Sequence, residues 1–142
     1  MAAKWYLTDA LWTALEHRFD RSDAWDRAPV EAEALCRLAE LPAAARIADL
    51  GAGTGRLAVA LARRGNAVTA VECHPVFAGR IPKNAKRAEV DLEIVRRDMS
   101  TFERQAAFDA LFLWNDTLGY FDSHAEDASF FARCLRSLRP DG

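Results

Sequence analysis

The stretch IADLGAGTGRLAVALARRGNAVTAVE, residues 47–72, decides the fold. It reads as strand, glycine-rich turn, helix and second strand. The apolar run 45–50 suits a strand buried on both faces. Gly51, Gly53 and Gly55 then stand at alternate positions, with Asp49 two residues before the first. Residues 54–64 place Leu57, Ala60 and Leu61 on one helical face, and Gly65 falls where a helix C-terminus takes left-handed geometry. Residues 66–72 form a second β-branched run closed by Glu72.

A turn without side chains lets a ligand approach the backbone, and the helix that follows opens with unpaired N–H groups. Glu72 falls about twenty residues after Gly51, the distance at which an acidic residue reaches ribose hydroxyls in such folds. One carboxylate can accept hydrogen bonds from both hydroxyls of a diol. The pattern therefore indicates a nucleoside cofactor. The dinucleotide fingerprint G-x-G-x-x-G fails, because Arg56 stands where its third glycine belongs, and no Gly-Lys-Ser/Thr follows to make a P-loop.

The D-x-G-x-G-x-G pattern at 49–55 resembles motif I of the class I S-adenosylmethionine (SAM) methyltransferases, and the resemblance runs from about Pro29 to Gly142. It implies an α/β fold: a three-layer, Rossmann-like, mostly parallel sheet in the order 3-2-1-4, preceded by N-terminal helices. The seven-stranded family sheet would lack its strands 5 to 7. The chain is expected to be one domain, 1–142, with helices in 1–42 and a C-terminally incomplete cofactor-binding core in 43–142. The cofactor implied is SAM, with S-adenosylhomocysteine (SAH) as product. By resemblance, Asp49, Gly51, Ala52, Gly53 and Gly55 lie along the methionine part of SAM, and Glu72, with Cys73 beside it, binds the ribose. Asp98 and Met99 meet the adenine edge, and Trp114 and Asn115 complete the cofactor contacts.

The remaining residues fill in this frame. Residues 7–19 read as a helix with an apolar stripe of Leu11, Trp12, Leu15 and Phe19, capped by Thr8 and stapled by Leu7 against Trp12. Trp5 and Tyr6 read as core packing. A lid is the alternative, since Phe19, Asp20 and Trp25 resemble the helical cover of small-molecule methyltransferases. Residues 21–27 read as a polar loop, with Pro29 opening the second helix. Val30, Ala34, Leu35 and Leu38 would face inward there, and Glu31, Glu33, Arg37 and Glu40 would face water. Gly79 and Pro82 break or shorten the helix expected in 76–88. The basic cluster Arg80, Lys83, Lys86 and Arg87 beside them reads as a solvated face. Strands are expected at 91–97 and 108–114. Ser123 and Glu126 form a capping box for a last helix with Phe130, Phe131, Cys134, Leu135 and Leu138 on one face.

The segment 114–122 resembles that of methyltransferases acting on small molecules, so the expected partner is a small-molecule acceptor. No catalytic residue is assigned. Asp116, Tyr120 and His124 are candidate bases, needed only where the acceptor holds its proton. His74 reads as a helix-entry residue, and no metal site is expected because no second ligand stands at the right spacing. The net charge of −2 gives no basic field for nucleic acid, and no apolar run approaches the length that spans a membrane. Cys36, Cys73 and Cys134 form no C-x-x-C and read as reduced thiols of a cytoplasmic protein. Strand 4 would be an apolar edge, open to pairing with a second copy as a homodimer. Two other readings stay open: a non-catalytic SAM- or nucleoside-binding module or partner subunit, and a nicotinamide-dependent oxidoreductase.

Overall fold

The computed structural model describes residues 4–19, 21–115 and 117–142. Asp20 and Asp116, named above as a lid residue and a candidate base, lie outside the described residues. Four parallel strands, β1 (Arg46–Leu50), β2 (Ala67–Val71), β3 (Glu93–Val95) and β4 (Ala110–Phe112), lie in the order β3-β2-β1-β4. This is the order that the resemblance implies. β1 is central because both its faces are apolar. Ile47 faces a cluster with Val68, Leu57, Leu61 and Ile81, while Ala48 and Leu50 face Val71, Met99, Phe102 and Phe130. Alternating side chains thus fill both faces of one strand, and helices must cover both. The helices α2 (Ser22–Leu38), α3 (Arg56–Arg63) and α5 (Ile81–Arg87) cover the first face, and α6 (His124–Ser137) covers the second. α1 (Asp9–Phe19) and a short α4 (Pro75–Ala78) complete the set.

Four expectations are corrected. Residues 21–27 are not a loop, because α2 runs unbroken from Ser22 with Pro29 inside it. Proline removes the N–H that would bond the Trp25 carbonyl. One residue earlier, the Ala24 carbonyl accepts a hydrogen bond from Arg56 Nη1 at 2.9 Å, which anchors this turn from outside. The inward face of α2 is rotated from the expected one. Ala28 and Ala32 are buried, whereas Val30 is 70% and Leu38 79% exposed. Glu31 turns inward instead of facing water, because it answers Arg56. In α6, Phe130 and Ser137 are buried, whereas Phe131 and Leu135 are exposed. Residues 5–7 form a 3-10 turn with Leu7 exposed, and the Trp12 indole donates to the Tyr6 carbonyl at 2.6 Å, so no Leu7–Trp12 staple holds the entry.

The helix expected in 76–88 is broken, as α4 and α5 with Gly79 and Arg80 between them. Ser123 Oγ accepts from Glu126 N–H at 3.3 Å, and Glu126 reaches back to the Asp122 N–H at 3.0 Å, one residue beyond the usual reciprocal bond. After α6 the chain returns beside the start of β4, where Leu138 bridges Phe108 in parallel. Beyond that bridge, Ala110–Phe112 carries no further strand among the described residues. No helix is long and apolar enough to cross a membrane among the described residues.

Candidate functional site

All four strands point their C-terminal ends the same way, so the segments that follow them converge on one edge of the sheet. The turn after β1 is fixed first. The N–H groups of Gly51 and Ala52 both donate to the Val71 carbonyl, at 2.9 and 3.0 Å, and tie the turn to the end of β2. Gly51 has φ +73°, and a Cβ there would stand 2.6 Å from Thr117 Cγ2. Only glycine fits both the dihedral and the close approach. Gly53, at φ +56°, has nothing within 4 Å of its Cβ position among the described residues and presents bare backbone to the cleft.

Glu72 closes the floor. Its Oε2 accepts from the Gly53 N–H at 2.8 Å and its Oε1 from the His74 N–H at 2.8 Å. Each carboxylate oxygen has a second acceptor site. Burial pushes the Glu72 carboxyl above its ordinary value, against the pull of these N–H groups. Asp49 is only 2% exposed and its Oδ2 has no hydrogen-bond partner among the described residues. Burial, with Glu72 adding to it, pushes the Asp49 carboxyl up to about 7. An orphaned acceptor beside a bare glycine turn is a place for a donor from a ligand. Across the cleft, Asp98 Oδ1 accepts from Ser100 N–H at 2.8 Å and caps a 3-10 turn, Met99–Thr101, which leaves Oδ2 for another donor. Burial and the neighbouring carboxylates of Glu72 and Asp98 push the Cys73 thiol up to about 12, so it is neutral and unreactive at ordinary pH.

The cleft is partly open to solvent, with a cavity volume of about 70 Å³. Gly51, Gly53, Glu72, Cys73, Asp98, Met99 and Asn115 all border it. Asp49, Ala52, Trp114 and Thr54 border a wider mouth on the far side of the turn, under α1 and α2. Gly55 does not line the cleft: its Cα faces Ile81, whose side chain would meet a Cβ at 3.0 Å, so it serves the packing of α3 on α5. Of the candidate bases, Tyr120 borders the cleft, while His124 is fully exposed in the first turn of α6. His74 is buried just before α4, with Nε2 3.4 Å from Asp9 Oδ1. No group of three metal-ligating side chains occurs among the described residues.

A family model described as a methyltransferase domain matches residues 47–142. The chain belongs to the methyltransferase-domain family. A relative from Geobacillus sp. (strain WCH70), provisionally named a methyltransferase, is 33% identical over 99 residues, which is 70% of this chain and 40% of that protein. A SAM-dependent methyltransferase from Clostridium acetobutylicum matches with TM-score 0.71 at 17% identity, covering 94% of this chain and 52% of that one. The glycopeptide N-methyltransferase MtfA, solved with sinefungin, matches with TM-score 0.68 at 23% identity, covering 81% of this chain and 47% of its own. This methyltransferase-domain chain therefore spans less than half the length of the curated relative it matches.

Several cleft residues of this family member were not legible in the sequence. Arg56, at the dinucleotide-glycine position, is only 8% exposed and ion-paired to Glu31. The same Glu31 oxygen accepts from the Trp114 indole at 3.1 Å. One carboxylate thus joins the first residue of α3 to the segment after β4. The signal was present but one-sided: a buried arginine needs a carboxylate, and nothing in the spacing chose Glu31 over its neighbours. Thr117, whose Oγ1 donates to the Trp114 carbonyl at 2.7 Å, presses its methyl on Gly51. Tyr6, Trp12, Phe19 and Phe77 form an aromatic wall, so Tyr6 is both buried and part of the cleft.

Proposed function

We propose that this domain binds S-adenosylmethionine in the cleft and transfers its methyl group to a small-molecule acceptor. The observation that carries the reading is the pair of buried carboxylates around the glycine turn: Glu72, held by the Gly53 N–H, and Asp49, with an orphaned oxygen. The donor set fits the cofactor. Glu72 offers two acceptor oxygens to a ribose diol, Asp98 Oδ2 and the Met99 backbone suit an adenine edge, and Asp49 suits an ammonium. Gly51, Ala52 and Gly53 leave backbone room for the methionine chain, with Cys73, Trp114 and Asn115 as flanking contacts. The placement of Gly55 against Ile81 speaks for a supporting role there. When bound, the cofactor supplies an activated methyl group through its sulfonium. The chain's part is alignment and exclusion of water by the aromatic wall. Tyr120 is the described residue best placed to hold an acceptor proton.

A dinucleotide cofactor is disfavoured by the same geometry, because Arg56 fills the position of the third glycine and is pinned to α2. Calorimetric titration with SAH, with NAD as control, tests the reading. Saturable SAH binding, weakened by Gly53→Val and by Glu72→Ala in folded protein, is expected. NAD binding without SAH binding would sink the proposal.

A further inference from the structure

On the outer face of the helical layer runs a groove with α3 as its floor, at Val59 and Ala60, and with the first half of α2 and the length of α5 as its walls. Of its lining, only Arg56 also borders the cofactor cleft. Two of its lining arginines are matched, Arg56 with Glu31 and Arg80 with Glu16, as is the neighbouring Arg64 with Glu33. Inside it Arg63, Lys83 and Arg87 are exposed and make no ion pair among the described residues. Asp26 is the one carboxylate among the described lining residues. The whole chain carries −2, so this positive charge is local, not a reflection of composition. Apolar surface lies beside it. Trp25 stands in the α2 wall, and Val30, one turn beyond Asp26 on the same stripe, is an exposed branched side chain.

The geometry points to a docking groove for an acidic amphipathic helix of a partner protein. Lys83 and Arg87 are one turn apart on α5, about 6 Å along its axis. Carboxylates four residues apart on a second helix repeat that rise, so the two rows can pair in register. A valley between two helices over a third is where a further helix seats its ridges. Phosphates of a nucleic acid need no apolar anchor, whereas Trp25 and Val30 offer one to the apolar stripe of a helix. The inference is independent of the cofactor reading.

The test uses a fluorescein-labelled synthetic helix with Glu at four-residue spacing and Leu on the adjoining stripe. Its controls are a scrambled peptide of the same composition and labelled oligouridylate. Anisotropy is followed against the whole chain at low and raised salt. Micromolar binding of the ordered peptide is expected, weaker for the scrambled one and weakened by salt. Charge reversal at Lys83→Glu or Arg87→Glu should cost roughly tenfold or more, while Lys86→Glu, outside the groove, should cost little. Circular dichroism establishes that each variant is folded. No binding, equal binding of the scrambled peptide, tighter binding of oligouridylate, or an equal loss with Lys86→Glu would each overturn the inference.

Discussion

Gly51 shows how one hydrogen atom sets the width of the cleft. Its φ of +73° and the 2.6 Å approach of Thr117 Cγ2 act on the same atom. Gly51→Ala should therefore destabilise by about 1–3 kcal/mol, part dihedral strain and part overlap. Adding Thr117→Ser, which deletes that methyl, should recover the overlap part and leave the strain. Urea denaturation of both variants checks this, and a double variant no more stable than Gly51→Ala would contradict it. Asp49 carries a different kind of cost. Its carboxyl sits at about 7 in the fold, above the ordinary 3.8. Between these values the folded state holds a proton that the unfolded chain has released, so stability falls as pH rises through the window and levels off above it. Asp49→Asn removes that loss. The variant should gain several degrees in melting temperature over the parent at pH 8 and much less at pH 4. Melting curves across pH decide it, and a gap that does not widen with pH would refute the assignment. Under the proposed function, a bound ammonium draws the proton off Asp49, so SAH should bind more tightly as pH rises from 6 to 8.

At the scale of elements, a short network ties α2 through α3 to the segment after β4. Arg56 bonds the Ala24 carbonyl and Glu31, and Glu31 also takes the Trp114 indole. Removing Glu31 leaves Arg56 with the Ala24 carbonyl, and removing Arg56 leaves Glu31 with the Trp114 indole and the more distant Arg27. Arg56→Ala and Glu31→Ala should each cost about 1–3 kcal/mol, and the double variant less than their sum. A double-mutant cycle by denaturant unfolding measures the coupling, and additive losses would show that the pair does not act as a unit. The same network explains why Pro29 is tolerated inside α2. The turn it weakens is held from outside by the Arg56 guanidinium, and the helix passes through a residue that would otherwise start or end one.

At the scale of the molecule, stability is unevenly spread. β1 and β2 are buried on both faces, whereas α1 has no buried residue. Amide exchange should be slowest in β1 and β2 and fast in α1, which opens without unfolding the sheet. Mass-spectrometric exchange tests the order, and protection of α1 equal to that of β1 would count against it. SAH should slow exchange in residues 9–19, since Trp12 and Phe19 border the cleft. The central strands and the glycine turn were legible as local signals, because strands buried on both faces and left-handed glycines mark themselves in a short window, whereas the sheet order and the part of Asp98 came from the family resemblance. Helix faces were not. In α2 and α6 apolar residues occupy more than one face, and neither spacing nor hydrophobicity says which stripe meets the sheet. Local pattern marked most of the elements, but not that α2 begins at Ser22 or that β3 and β4 are only three residues long. Only the tertiary packing decided that Val30 and Leu135 face outward, that Glu31 turns in to Arg56, and that Thr117 closes on Gly51. Each of those depends on a partner distant in the chain, which no window of sequence contains.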